Sequence, residues 1–365
     1  MKKLSFVTSL LLVTTTSVFA ESDSIKEAIA NGMASGDVTA FFKNEDTKDE
    51  DAGYINGSLG LSYQTDSVYG VNAKVGFRAN HKFSEKEDGD YEEEFANKSL
   101  LTEAYLQYRD VGLKATVGRQ NIDLEWLGDF NEAITFQTSK LIDSTTITLG
   151  YVDRQAASEE DESTDFEELT EDGAYVLDFN YEIEEDESEI NAYYYNVPDV
   201  VDFYGIKAKG ELGMFEFTAH YAASSVDSKI GEEDGDILNL EFETEISNYE
   251  FAVGYIRTDK KGGIGLMDTY GDNIDPTEEI GDSIYAADSK TIYALAEYSY
   301  GDLEVEAVYA QAEYGEDKAK DKEFTLAVEY AFTDAISTEL SYTNTSMEDS
   351  DDDSDITQLS VSYSF

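Results

Sequence analysis

Hydrophobicity in this chain alternates with a period of two, segment after segment, and no stretch beyond residue 20 reaches the roughly 18 apolar residues of a membrane helix. The carboxyl terminus shows the pattern most cleanly. Leu359, Val361, Tyr363 and Phe365 fall on one face of an extended strand, and Gln358, Ser360, Ser362 and Ser364 on the other. Chain ends are ordinarily polar and frayed. An amphipathic strand ending on an aromatic residue suits a sheet that closes on itself, where the last strand pairs with the first and no edge is left open.

The other end predicts export. Lys2 and Lys3 precede the apolar run Leu4 to Val13, and Ser17 to Ala20 supply small residues for cleavage. That is the pattern of a Sec-type signal peptide over residues 1–20, with an uncleaved anchor as the competing reading. There is no cysteine, so neither disulfides nor thiolate metal sites are available. Two prolines against 26 tyrosines and 19 phenylalanines suit long strands bordered by aromatic girdles. No Pro- or Ser-rich linker divides the chain, so residues 37–365 are expected to form one barrel after a periplasmic lead at 21–36.

Alternating segments number about 18, most near the 9–11 residues of a tilted membrane strand. The clearest are 69–77, 104–109, 113–118, 147–154, 175–182, 215–221, 249–255, 324–332 and 336–342. Short connections fall at 110–112, 210–213, 301–302 and 333–334. Long ones fall at 82–98, 119–132, 155–173, 224–235, 258–289, 313–321 and 344–355. The expected fold is all-β: a transmembrane antiparallel barrel with short periplasmic turns, long extracellular loops and both termini on the periplasmic side. A soluble sandwich would use strands of about 5–6 residues without this rhythm.

Acidic residues number 80 against 25 basic ones, a formal charge of −55. Nucleic acid is therefore not an expected partner, because phosphate binding needs a basic footprint. Much of the acid lies in the long loops; 155–173 contains no Lys or Arg. These loops read as a solvated, self-repelling face, or as carboxylates that divalent cations bridge to anionic lipopolysaccharide. Asp349, Asp351 and Asp353 have calcium-loop spacing, yet Ser354 stands where the turn glycine belongs and Ser360 where the bidentate Glu belongs. No dedicated metal site is expected.

Parity then assigns the lumen: if the apolar residue of each strand faces lipid, its neighbours face the pore. Lys74, Arg78, Arg109, Lys114, Arg154, Lys207 and Lys209 point inward on that rule. In later strands Glu216, Glu250, Glu304, Glu306 and Glu329 take the inward positions, with Glu241, Glu243, Glu297 and Glu339 beside them. Early strands lie across a barrel from later ones, so a basic wall is expected to face an acidic one. Glu103, Asp178 and Glu182 break the rule, and simple polar filling of a wet interior is the alternative. Arg119 shares the register of Leu113, Ala115 and Val117, so a bulge or strand end is expected near Gly118.

Residues 119–132 contain the only tryptophan, Trp126. Their mixed character suits a loop folded into the pore, with Ile122, Leu124, Trp126 and Leu127 on the wall and Asp123, Glu125 and Asp129 narrowing the passage. An ordinary surface loop is the alternative.

Several short motifs are spread along the chain: a helix-like lead from Ile25 to Met33 with Ser35 and Gly36 after it, the segments 103–108, 117–120 and 150–154, Gly262 to Gly265 followed by Asp272, Asp275 and Pro276, and the final Phe365. Together they resemble the Opr-type general and substrate-selective porins of Gram-negative bacteria, especially those of epsilon-class proteobacteria. The resemblance implies 18 strands, a constriction formed by the third loop, and a basic ladder guiding anionic solutes, with Arg119 and Arg154 its best candidates. A homotrimer is expected by the same analogy. The heavy acidity departs from the family pattern and sets anion selectivity against the chain's own charge.

The function these readings converge on is an outer-membrane porin: a water-filled channel, without cofactor, for passive diffusion of ions and small hydrophilic solutes, with a preference for cations. The alternative is a structural or adhesive barrel with a plugged lumen. Catalysis is not expected. His81 adjoins Lys82, and His220, though near Ser224 in sequence, reads as a solvated lumen histidine rather than as half of a Ser–His pair with its orienting third group. Gly262 to Gly265 lacks the strand-to-helix context of a phosphate loop.

Overall fold

The computed structural model describes residues 22–48, 51–183 and 188–365. The expected signal peptide lies outside the described residues. Nineteen strands follow in chain order: β1 (Met33–Thr47), β2 (Asp51–Gln64), β3 (Val71–Glu85), β4 (Ser99–Asp110), β5 (Leu113–Asn121), β6 (Phe130–Thr138), β7 (Thr145–Ala156), β8 (Glu167–Glu168), β9 (Ala174–Ile183), β10 (Ser188–Val197), β11 (Val201–Leu212), β12 (Phe215–Val226), β13 (Asp236–Ile246), β14 (Tyr249–Thr258), β15 (Lys290–Tyr300), β16 (Leu303–Tyr314), β17 (Ala319–Thr333), β18 (Ile336–Ser346) and β19 (Ser354–Ser364). Eighteen of them form a closed antiparallel barrel; β8 is a two-residue rung beside β7.

Closure occurs where the terminal alternation foretold it. β1 pairs with β2 on one side and with β19 on the other, from Asp37↔Ser364 to Thr47↔Ser354. Beyond that ladder Gly36 and Phe365 exchange two backbone hydrogen bonds of 2.9 Å each. Every barrel strand therefore has two neighbours, and among the described residues no open strand edge is left in the ring. Val75, Leu106, Val117, Ile134, Leu149, Val253, Leu340 and Val361 stand exposed on the outer face, the apolar band that a bilayer would cover.

The lead is shorter than expected. α1 (Ile25–Ala30) is capped by the Ser24 hydroxyl, and β1 already begins at Met33. Met33 to Gly36 pair with Leu61 to Gln64 because β2 outruns the end of β19 and its backbone still needs partners. The expected loop 313–321 shrinks to 315–318, since β17 extends to pair Ala319 with Tyr314. Turns at 111–112, 213–214, 247–248, 301–302 and 334–335 lie on the rim that holds the termini. Connections 86–98, 122–129, 157–173, 227–235, 259–289 and 347–353 lie on the opposite rim.

An apolar core sits inside the barrel rather than around it. Inward residues near the long-loop rim, among them Val152, Phe203, Ile237 and Ile256, are buried by Trp126 and Leu127 of loop 122–129 and by Met267, Ile280 and Ile284 of loop 259–289. Apolar-out parity therefore fails in this half, because loops supply there the covering that lipid supplies outside.

Candidate functional site

The third connection on the long-loop rim is 122–129, and its Trp126 and Leu127 pack against inward residues of the barrel. Trp126 has no exposed surface, and its Nε1 donates to Tyr193 Oη at 2.6 Å. Tyr193 Oη in turn lies 2.8 Å from His220 Nε2, so His220 is buried and bonded rather than solvated. Glu125 forms an ion pair with Lys207, and its second oxygen stands 3.8 Å from His220 Nδ1. The Asp129 carbonyl accepts from Ile122 N at 2.9 Å, which closes the loop's neck at a residue in the left-handed region. Asn273 Nδ2 approaches Asp123 at 3.5 Å and donates to Leu124 O at 3.1 Å.

Two glycines allow tyrosines to lie flat along the wall. A Cβ at Gly205 would stand 2.2 Å from Tyr193 Oη, and one at Gly254 2.0 Å from the Tyr293 ring. Tyr293 Oη reaches Glu241 at 2.6 Å. Neither tyrosine was singled out from the sequence. The available signal was a glycine in the middle of a strand, which marks close approach by another group.

Loop 259–289 fills more of the interior, and its clamp comes from β17. Glu323 accepts backbone N–H groups of Glu278 and Glu279 at 2.8 Å each and of Ile280 at 3.3 Å. Asp321 accepts from Ser283 Oγ, from Tyr314 Oη at 2.9 Å and from Glu348 N at 2.7 Å. Within the loop, Asp272 accepts from Ile274 N at 2.7 Å and from the Tyr285 hydroxyl. Burial pushes the Asp275 carboxyl well above the usual carboxylate range, with nearby Asp272 adding to the effect. Gln155 Nε2 ties the two loops together, donating to Gly128 O at 2.8 Å and Tyr270 O at 2.7 Å.

Loop 157–173 corrects the reading of a purely solvated face. Its backbone turns inward: Asn56 Nδ2 donates to Glu160 O at 2.8 Å and Tyr54 Oη to Asp161 O at 2.8 Å. Tyr54 also packs with Phe41, Tyr91 and Phe95 in an aromatic cluster beneath the rim.

Of the inward basic residues, Lys74, Arg78 and Lys207 are neutralised by carboxylates. Lys74 pairs with Glu103 at 2.6 Å, which accounts for that exception to the expected wall. Arg78 binds Asp37 through two nitrogens at 3.0 Å each. Arg109 and Lys114 are directly opposed on β4 and β5 and make no ion pair among the described residues.

The acidic wall is present and largely uncompensated. Glu216 opposes Glu243, Glu250 opposes Glu297 and Glu297 opposes Glu306, and Glu329 stands between Glu304 and Glu339. None of these carboxylates forms an ion pair among the described residues. Like charges directly opposed are destabilising unless water screens them or protons neutralise them. β4 and β5 stand nine strands from β14 and β15 in the 18-membered ring, so Arg109 and Lys114 face Glu250 and Glu297 across the diameter.

Two ladder candidates leave the lumen. The β5 register runs unbroken through Gly118, without the expected bulge, so Arg119 shares the outward side of exposed Val117 and Ile134. Its guanidinium pairs with Glu132 at 2.7 Å and lies 4.1 Å over the Phe166 ring. Arg154 follows it outward because the register between β6 and β7 slips at Asp153, setting Arg154 opposite Glu132. It pairs with Glu168 at 2.7 Å.

Lys207, Lys209, Glu216, Asn239, Glu241 and Glu243 line a cavity of about 400 Å³ roofed by Asn273 to Pro276. It lies where the apolar residues of the long-loop half give way to the acidic ones.

No protein-family model matches the chain, and no curated protein matches it. Solved structures share its architecture. Pseudomonas aeruginosa OccK8 (OprE) is 14% identical with a TM-score of 0.74, over 92% of this chain and 98% of that one. Acinetobacter baumannii OccAB4 is 16% identical with a TM-score of 0.75, over 92% and 98%. Pseudomonas aeruginosa OpdQ is 16% identical with a TM-score of 0.74, over 93% and 99%. At these identities the likeness is one of fold.

Proposed function

We propose that the chain is an outer-membrane porin of a Gram-negative bacterium, passing ions and small hydrophilic solutes by passive diffusion with a preference for cations. The observation that carries this reading is the row of opposed, unpaired carboxylates on the inner wall: a dry interior would not tolerate them, and a water-filled one gains a negative field from them. The apolar outer band, the closed ring and the fold shared with OccK8 (OprE) support membrane insertion, and the sequence motifs support an Opr-type porin of the epsilon class. Outer-membrane lipid and lipopolysaccharide are the proposed surroundings, with a homotrimer as the proposed assembly. The fold serves transport rather than catalysis.

The packed interior loops favour a second reading, a plugged structural barrel. Single-channel recording in planar bilayers separates the two: steps of potassium chloride current support the porin, and a silent membrane containing folded protein supports the plug. The sign of the reversal potential in a salt gradient at neutral pH then tests cation preference, which an anion-selective result would overturn.

A further inference from the structure

A furrow of about 660 Å³ crosses the outer face of the barrel at its closing seam, over five strands from β18 to β3. The registers give its course. Ile336, Tyr363, Val38, Leu59 and Ala79 stand opposite one another in turn, with Val361, Ala40, Gly57 and His81 forming the next outward row toward the long loops. At one end Ile336 opens β18 beside the turn on the rim of the termini; at the other Ala79 opposes Ser99, where β4 leaves the long-loop rim. The furrow therefore climbs through the apolar band. Four strand spacings of about 4.8 Å make it about 19 Å long. At a strand tilt of about 45° it rises about 13 Å, close to the depth of one leaflet.

Small residues make the depression: Ala40, Gly57 and Ala79 leave backbone uncovered beside the larger Val38, Leu59 and Val361. The β2–β3 register slips at Phe83, which has no opposite between the pairs Asn56–Lys82 and Ile55–Ser84. The slip lays the Phe83 ring against Gly57, where a Cβ would come within 2.5 Å of it. His81 stands edge-on to Phe83 at 5.3 Å, and its ring nitrogens have no hydrogen-bond partner among the described residues. An ionisable side chain on a lipid-facing wall is costly unless something pairs with it. Above it, Lys86 is claimed by Asp46 at 3.1 Å and Asp51 at 3.4 Å, whereas no carboxylate claims His81. A second barrel would lay a broad sheet face about 10 Å away, while a furrow two residues wide, about 7 Å, suits a single hydrocarbon chain.

We propose that the furrow seats one acyl chain of a phosphate-bearing lipid of the long-loop leaflet, whose phosphate accepts a hydrogen bond from His81. Seating of this kind rests on the outer-membrane reading and not on conduction. Lipid tails are as apolar as the furrow itself, so exchange with bulk lipid brings little net gain. Preference comes instead from the fit of the chain and from the charge-assisted bond at its head.

The test uses the full-length mature chain refolded into lipid-free detergent micelles. Lipid A or enzymatically dephosphorylated lipid A is added, and bound lipid is counted by native mass spectrometry. One lipid A is expected to stay on each barrel, and dephosphorylation to weaken its retention about tenfold. His81→Phe is expected to weaken lipid A about tenfold and to leave the dephosphorylated lipid unchanged. The double change Ala40→Leu and Ala79→Leu fills the furrow and is expected to weaken both lipids about tenfold. Val253→Leu, outward on β14 across the ring, should change neither. Equal retention of the two lipids by wild-type protein would overturn the proposal, whether or not the variants fold. So would retention indifferent to the filled furrow in folded barrels. A filled furrow that abolishes oligomers rather than bound lipid would assign this face to a second copy, and overturn it too. A refolded chain that does not insert into lipid vesicles would instead remove the outer-membrane reading, and this one with it.

Discussion

The same strands carry different chemistry at their two ends. Along the inner face of β13 the series runs Ile237, Asn239, Glu241, Glu243; along β14 it runs Ile256, Gly254, Ala252, Glu250; along β16, from the long-loop end, it runs Ala312, Ala310, Val308, Glu306, Glu304. The half under the long loops is apolar and covered by Trp126, Met267 and Ile284. The half toward the termini is acidic and uncovered. Parity thus decides which way a side chain points, while the presence or absence of a covering loop decides what kind of side chain belongs there.

The covered half should respond most to loss of packing. Trp126→Ala removes a fully buried side chain and its bond to Tyr193, a loss of about 3–5 kcal/mol. The expected result is lower thermal stability and a larger, noisier single-channel conductance with unchanged ion preference. An unchanged conductance in folded protein would show that loop 122–129 does not set the passage.

The uncovered half should respond to loss of charge. The triple change Glu250→Gln, Glu297→Gln and Glu306→Gln is expected to lower the cation-to-anion permeability ratio about fivefold, near 1 kcal/mol, and to raise stability by relieving repulsion between opposed carboxylates. The reversal potential in a salt gradient reads the first effect. A ratio that does not move would mean the wall is electrostatically silent.

Acidity distinguishes the halves in a second way. Asp275 in loop 259–289 is held well above the ordinary carboxylate range, so the folded loop binds its proton more tightly than the unfolded chain does. The loop's packing is therefore favoured at low pH and weakens as pH rises through that elevated value. Hydrogen-exchange protection factors over residues 272–285, each taken relative to the intrinsic rate at its own pH, are expected to be higher at pH 5 than at pH 8; the reverse order would sink the assignment.

The smallest effect is expected outside the lumen. Arg119→Ala and Arg154→Ala remove solvent-screened ion pairs on the outward side and should leave both stability and ion preference nearly unchanged. A shifted reversal potential would return these arginines to the passage.

The ring of strands was legible in the sequence because a period of two is a local property, visible in segments such as 358–365 without knowledge of any partner. Inward placement of Lys207 and Glu250 followed from the same rule. Arg154 escaped it because one unpaired residue, Asp153, reverses every side chain after it, and composition carries no trace of that slip. Arg119 was legible by parity and mislaid by motif likeness. The interior clamp was illegible for another reason: Glu323 meets its partners 43 to 45 residues away, a distance over which alternation is silent. Gly205 and Gly254 were the readable traces of the tyrosines that cross them.

That clamp has a consequence for the order in which the molecule is made. Loop 259–289 leaves the ribosome before the strand that holds it, and its three bonded N–H groups find their acceptor only once β17 has taken its place beside β16. Until then only apolar packing and the Gln155 bond draw the loop into the barrel. The lumen should therefore pass through a wide-mouthed intermediate during assembly and narrow late, when the wall is nearly complete.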